Sequence, residues 1–199
     1  NYVSSVIPYK RGNIVDRNGQ ILATSDLIYH LILDPKVLLQ KEENVEPTIK
    51  ALVEVYGLNE TELRTILKEK ATSSYVVLKK KLSYEEKEKL TQYKETLKAE
   101  EEKDKKKTKE ENNEESKEEK KGEIKGVWFE EEFKRMYPNG SLACDVIGFT
   151  IKSNEGSGFQ GNYGLEAYYN DILNGTNGRE YGYLNDDSTL ERTTIPATD

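Results

Sequence analysis

The chain has 199 residues, enough for one domain or a domain and a half, with a formal net charge of −7 and nearly equal hydrophobic (35%) and charged (34%) shares. The acidic balance excludes a nucleic-acid binder, which needs a basic face, and no apolar run reaches the length that spans a bilayer. A single cysteine, Cys144, excludes an internal disulfide, and with His30 as the sole histidine no zinc site is expected, nor any cofactor.

Val3, Val6 and Ile7 suggest an extended approach to a hairpin, with Pro8 marking an edge or bend. The hairpin centres on Asp16-Arg17-Asn18-Gly19, because Asn and Gly tolerate the positive φ of tight turns. Ile14 and Val15 lead in, and Ile21 to Ala23 form the second arm. A hairpin needs none of Arg11, Asp16 or Arg17, so these charges are expected to meet other parts of the chain. A separate strand, Ile28 to Leu33, has the continuous apolar run of a segment buried on both faces and stops at Asp34-Pro35. His30 lies within it without a second histidine nearby, which favours a structural role over a ligand or base.

Val45, Ile49, Leu52, Val53 and Tyr56 recur at helical spacing and end at Gly57. Asn59 caps a second helix with Glu62 three residues on, Leu58 and Leu63 in the staple positions, and Leu63, Ile66 and Leu67 as its stripe. Tyr75 to Leu78 reads as a short strand. Ser83 with Glu86 opens a third helix carrying Leu90, Tyr93 and Leu97. Residues 36–97 thus make a small helix-rich α+β lobe. From 98 to 125 the chain is nearly all Lys, Glu, Asp and Asn with balanced signs, a solvated insertion that is disordered or a lone charged helix.

Val127, Phe129, Phe133 and Met136 mark a strand running into a turn at Pro138-Asn139-Gly140. Ser141 is placed to cap a short helix with Leu142 and Val146, closed by Gly148. A last helix carries Leu165, Tyr168, Tyr169, Ile172 and Leu173 and closes at Asn174-Gly175; Arg179 to Leu184 alternates as a strand, and the end is loop-like.

Three chemical patterns weaken on inspection. Gly156-Ser157-Gly158-Phe159-Gln160-Gly161 matches a dinucleotide string, but no βαβ unit surrounds it, so it reads as a glycine-rich loop. Asp186-Asp187 and Glu130-Glu131-Glu132 are adjacent acids without a cleft to set an acid–base separation. The Asn59, Asn139 and Asn174 sequons are better explained as caps and turns.

Three stretches carry a resemblance. Arg11-Gly12-Asn13-Ile14-Val15-Asp16-Arg17-Asn18-Gly19, continuing to Leu22-Ala23, is similar to the motif that opens the extracytoplasmic part of class B penicillin-binding proteins. Arg135-Met136-Tyr137-Pro138-Asn139-Gly140-Ser141-Leu142-Ala143, and Gly161-Asn162-Tyr163-Gly164-Leu165-Glu166 running on through Gly175, resemble later motifs of the same family's pedestal (dimerisation) domain, in the family's order. The resemblance implies an α+β pedestal over residues 1–199. Segments 1–35 and 126–199 would bear the motifs, and the 98–125 insertion departs from the family pattern.

It also implies that Arg11, Asp16, Arg17, Arg135 and Glu166 form a linked set at the junction with a catalytic domain. Gly12, Gly19, Tyr137, Pro138, Gly140, Gly161, Gly164 and Gly175 would be structural members of the motifs. The parent would be a serine-type D-Ala-D-Ala transpeptidase cross-linking peptidoglycan, anchored by a single span before Asn1 on the extracytoplasmic face of a bacterial membrane, with its catalytic domain after Asp199. Implied partners are that domain, the membrane-embedded SEDS-family glycan polymerase, other division or elongation proteins, and a second copy in a homodimer. No Ser-x-x-Lys, Ser-x-Asn or Lys-Thr/Ser-Gly motif occurs here, so this stretch is not expected to be the catalyst. The alternative is a stand-alone, non-catalytic interaction module of the cell envelope.

Overall fold

The computed structural model describes residues 2–111, 122–153, 158–184 and 190–199. In chain order the elements are β1 (Tyr2–Ile7), β2 (Ile14–Val15), β3 (Ile21–Leu33), α1 (Pro35–Leu38), a 3-10 turn (Glu42–Asn44), α2 (Val45–Tyr56), α3 (Glu60–Glu69), β4 (Val76–Leu82) and α4 (Tyr84–Glu111). They continue with β5 (Val127–Met136), α5 (Cys144–Ile147), β6 (Thr150–Lys152), β7 (Phe159–Gly161), α6 (Gly164–Tyr168), α7 (Asn170–Leu173), β8 (Gly178–Leu184) and β9 (Leu190–Ile195). The class is α+β, as expected. The chain divides into two compact units, Tyr29–Glu130 and Asn1–Ile28 with Glu131–Asp199.

In the Tyr29–Glu130 unit, the end of β3 pairs antiparallel with β4, and Tyr29, Leu31 and Leu33 bury against Leu38, Ile49, Leu52, Leu63, Leu67, Val76, Leu82 and Leu90. Each fully buried aliphatic side chain of this kind is worth roughly 1.5–3 kcal/mol. Helix ends follow the sequence signals. Gly57 closes α2 in the left-handed region, and the Asn59 side chain accepts from Thr61 N and Glu62 N. Ser83 and Glu86 bond reciprocally, Glu86 N to Ser83 Oγ and Ser83 N to Glu86 Oε2. Asp34-Pro35 does more than stop a strand: Asp34 Oδ1 accepts from Val37 N and starts α1 with Pro at its first position.

Two boundaries shift. β4 runs on to Leu82, beyond the expected Tyr75–Leu78 strand. α4 continues through the charged tract as far as Glu111, so the tract does not begin as a separate element at 98. Lys and Glu are good helix formers, and no Gly or Pro interrupts the chain between Ser83 and Gly122, so a helix nucleated at its capping box propagates. Residues 112–121 lie outside the described residues. At the tract's far end the chain is tied to α2 and the turn before it, by Glu123 N to Asn44 Oδ1 and Lys125 N to Thr48 Oγ1.

In the other unit, β2 and β3 form the expected hairpin, Ile14 opposite Ala23 and Val15 opposite Ile21, with a bulge between the pairs. β3, however, is one strand of 13 residues rather than two. Its polar middle does not break it because the hydroxyls are paired: Thr24 Oγ1 donates to Asn13 Oδ1 at 2.8 Å and Ser25 Oγ to Arg11 O at 3.2 Å. β1, β8 and β9 form an antiparallel sheet in that order, so the segment read as a loop-like end contains a strand. Residues 185–189, with Asp186 and Asp187, lie outside the described residues, as do 154–157, which include the first two residues of the glycine-rich string.

The short helix starts later than expected, at Cys144. Ala143 precedes it with φ 55°, no Ser141 side-chain cap forms, and Leu142 and Val146 are exposed while Ile147 is buried. The expected final helix is two pieces, α6 and α7, broken at Tyr169. Tyr168 and Ile172 of its apolar stripe are 80% and 79% exposed, whereas Glu166 is fully buried. Leu173 of the stripe is buried, and the polar Glu166 packs inside as well because it receives an arginine.

Candidate functional site

That arginine is Arg11, fully buried just before the hairpin. Its Nε donates to Glu166 Oε2 and its Nη2 to the Glu166 main-chain O, both at 2.8 Å. Nη1 donates to Asn170 Oδ1 at 3.1 Å and to Asn174 Oδ1. Arg135, near the end of β5, brings Nε to the other carboxylate oxygen, Glu166 Oε1, at 2.7 Å. Its Nη1 donates to Gly12 O at 2.8 Å, Arg11 O at 3.3 Å and Ser25 Oγ at 3.2 Å, while Nη2 is buried without a hydrogen-bond partner among the described residues. Tyr137 OH also donates to Glu166 Oε1, at 3.3 Å.

Local sequence explains each placement. Arg135, in β5, and Tyr137, just past its end, are two residues apart, on one side of an extended chain. The turn at Tyr137-Pro138-Asn139-Gly140, closed by Gly140 N to Tyr137 O at 3.1 Å, ends the strand beside them. Gly12 N donates to Leu173 O at 2.8 Å, pinning the residue after Arg11 to the end of α7. Gly161, Gly164 and Gly175 lie at close backbone approaches, where a Cβ would stand 1.9 Å from Glu166 O, 2.4 Å from Val146 O and 2.0 Å from Thr198 O.

The electrostatics are those of a lock. Two guanidinium groups share one carboxylate, all nearly or wholly buried, so the cluster carries a net positive charge inside the domain. Both Glu166 oxygens are held by charge-assisted hydrogen bonds and the side chain is fully buried, which suits a structural anion. Burial, and then the Glu166 charge, push the Tyr137 hydroxyl above the usual phenol range. Buried pairs of this type define geometry more than they add stability. Beside the cluster, Tyr137, Leu142, Ile147, Phe149 and Tyr163 line a concavity of about 560 Å³. Among the described residues no group of three His, Cys, Asp or Glu could hold a metal ion.

The motif charges therefore divide. Arg11, Arg135 and Glu166 come together; Asp16 and Arg17 do not join them. Asp16 serves its own turn, its Oδ1 accepting from Asn18 N and Gln20 N, both at 2.8 Å, and its carbonyl from Gly19 N at 3.0 Å. Gly19 takes the positive φ, 81°, and Arg17 lies exposed in the turn. His30 is buried and its Nδ1 accepts from Lys81 N at 3.1 Å. Asn170, Asn174, Ser25 and Tyr9 were missed. Tyr9 OH donates to Asn174 Oδ1 at 2.9 Å, joining the chain before Arg11 to the same asparagine. The signal was present: Glu166, Asn170 and Asn174 recur every four residues, one helical face.

The family model for the penicillin-binding protein dimerisation domain matches residues 6–195. The chain belongs to this family. Among its relatives, the peptidoglycan D,D-transpeptidase FtsI of Buchnera aphidicola subsp. Baizongia pistaciae is 27% identical over 173 residues, which cover 86% of this chain and 24% of that protein. Stage V sporulation protein D of Bacillus subtilis is 32% identical over 169 residues, covering 85% of this chain and 20% of its own length. The chain thus spans about a quarter or less of the relatives it matches. Penicillin-binding protein 2X of Streptococcus thermophilus shares the fold, with a TM-score of 0.69 at 22% identity over 99% of this chain and 28% of that one. So does penicillin-binding protein PBP2 of Helicobacter pylori, solved in complex with MreC, with a TM-score of 0.55 at 18% identity over 100% of this chain and 34% of that one.

In this dimerisation domain the three motifs that carry the resemblance are joined by one carboxylate. Arg11 comes from the first, Arg135 from the second and Glu166 from the third.

Proposed function

We propose that this domain is the non-catalytic pedestal of a serine-type D-Ala-D-Ala transpeptidase that cross-links peptidoglycan. The parent is held by a single membrane anchor on the extracytoplasmic face, and the pedestal positions the penicillin-binding domain and contacts the membrane-embedded glycan polymerase. The observation that carries this reading is the buried Arg11–Glu166–Arg135 cluster, which joins three separated motifs into one unit. A rigid spacer is what holding a second domain at a set height requires. The transpeptidase names of the relatives support the pathway, and the solved complex of the Helicobacter pylori neighbour with MreC supports a partner-binding role.

The test is labelling with a fluorescent penicillin. The 199-residue chain should remain unlabelled, and the full-length protein should be acylated at a serine outside it and sediment with membranes. Glu166→Ala in the full-length protein should keep the label but lose cross-linking in cells. Labelling of the chain itself, or a full-length protein that neither labels nor sediments, overturns the reading; an unlabelled full-length protein points instead to a stand-alone envelope scaffold.

A further inference from the structure

The chain's single tryptophan, Trp128, is not used in the core: it is 42% exposed, one residue into β5. Beside it stands Tyr75, 49% exposed, with ring centroids 6.0 Å apart and planes inclined by 60°. Large aromatic side chains normally bury most of their surface, so two adjoining rings that each stand nearly half exposed need a reason.

Tyr75 is also held at both ends. Its hydroxyl donates to Glu130 Oε2. Its main-chain N donates to Ser73 Oγ at 3.2 Å, and Ser73 Oγ donates to Tyr75 O at 3.1 Å. Ser73 is itself fixed, its N donating to Lys70 O at 2.9 Å and its O accepting from Lys36 N at 3.1 Å. On β5, Glu130 is two residues from Trp128 and so shares its face. The strand's start is tied down by Asp34 N donating to Gly126 O at 2.7 Å. An exposed ring whose position is set in advance loses little freedom when something stacks on it.

We propose that Tyr75, Trp128 and Glu130 form a saccharide-docking platform, taking one or two pyranose units of an N-acetylated glycan. The choice of N-acetylhexosamines rests on the role in peptidoglycan synthesis given above. The chemistry of the platform itself is independent of that role. A pyranose ring offers an apolar C–H face for the two aromatic rings and hydroxyl and amide donors at its edge. A carboxylate accepts up to about four hydrogen bonds, so Glu130 retains acceptor capacity beyond the Tyr75 hydroxyl. A nucleic-acid strand would also stack, but its phosphates would meet Glu130 and a chain of net charge −7. An organic ammonium ion is the competing ligand, since it suits an aromatic face beside a carboxylate.

The experiment is a fluorescence titration of the 199-residue chain with a β-1,4-linked N-acetylglucosamine tetramer. Because Trp128 is the only tryptophan, the signal reads the platform directly. A saturable change with a dissociation constant on the order of 1 mM is expected, weakened at least about fivefold in Tyr75→Ala and in Glu130→Ala, each with an unchanged circular dichroism spectrum. Trp128→Phe, followed by NMR amide shifts on β5, should bind more weakly at the same location.

No saturable change up to about ten times that concentration overturns the proposal. So does equal binding by Tyr75→Ala, or a response to tetramethylammonium and lysine but not to the glycan. Penicillin labelling of the full-length protein is unaffected by these outcomes, so failure of the platform and failure of the pedestal role are told apart.

Discussion

Arg11 grips Glu166 at two points at once, Nε on the side-chain Oε2 and Nη2 on the main-chain O, both at 2.8 Å. The residue that opens the first motif thereby fixes both the backbone and the carboxylate of the third. Glu166→Ala removes the anion and leaves two buried guanidinium groups uncompensated, so the expected loss is about 3–5 kcal/mol in urea unfolding. Dipole compensation at the start of a short helix would account for less than about 1 kcal/mol. In a double-mutant cycle Arg11→Ala and Glu166→Ala should be non-additive by at least about 1 kcal/mol. Arg17→Ala should lie within about 0.5 kcal/mol of wild type and add independently, since its side chain is exposed. A Glu166→Ala loss of only a few tenths, with no coupling, would show that the cluster is incidental.

Asp16 provides a contrast within the same motif. Its work is done by one oxygen accepting two backbone N–H groups across the turn, which an amide can also do. Asp16→Asn should therefore be nearly neutral, and Asp16→Ala should cost about 1 kcal/mol. If Asp16→Asn is as damaging as Asp16→Ala, the charge matters and Asp16 answers to something outside its turn.

The pattern of what could be read in advance follows from the range of the forces. Turn and cap chemistry is local, so the Asp16–Gly19 hairpin, Gly57, Asn59 and the Ser83–Glu86 box stand where their residue types put them. Apolar periodicity found the α2, α3 and α4 stripes because their burial is what holds that unit together. At α6 and α7 it found Leu173, which is buried, but Tyr168 and Ile172 follow helical spacing and face out, while Glu166, Asn170 and Asn174 turn toward Arg11. A polar face goes inside only when long-range partners satisfy it, and Arg11 lies 155 residues away in sequence from Glu166. β3 hid for the same reason: Ser25 reads as a strand break until Arg11 and Arg135 are seen to pair with it. The motif resemblance supplied the three central members of the cluster, but not the contacts of Asn170 and Asn174, nor the separation of Asp16 and Arg17 from it.

Two glycines of the motifs test backbone approach against backbone conformation. Gly19 has φ 81° and open space around its missing Cβ, so Gly19→Ala meets only the left-handed penalty of roughly 1–2 kcal/mol. At Gly161 a Cβ would stand 1.9 Å from Glu166 O, the atom that accepts Arg11 Nη2. Gly161→Ala must push that carbonyl away and loosen the arginine, so its loss of thermal stability should clearly exceed that of Gly19→Ala. The reverse order would mean that the α6 backbone gives way freely and that the Arg11 contact to it matters little.

The Tyr29–Glu130 unit should weaken at alkaline pH through two phenols. Tyr56 OH donates to Glu86 O at 3.1 Å, and burial, followed by the Glu86 charge, pushes its pKa up to about 12. Tyr93 OH donates to Glu54 Oε2 at 2.5 Å, and burial, followed by Glu54, pushes it likewise to about 12. In the unfolded chain both return to the ordinary value near 10. Below that pH the two states hold the same protons and these groups add no pH dependence. Between about 10 and 12 the unfolded chain has lost protons that the folded chain still holds, so stability falls as pH rises through that window. Urea midpoints measured across it should decline, and the Tyr56→Phe, Tyr93→Phe double variant should decline less steeply, having no phenols to ionise at those positions. An identical slope in the variant would assign the alkaline loss to other tyrosines or to lysines, and would show that neither hydroxyl is held as its hydrogen bonds indicate.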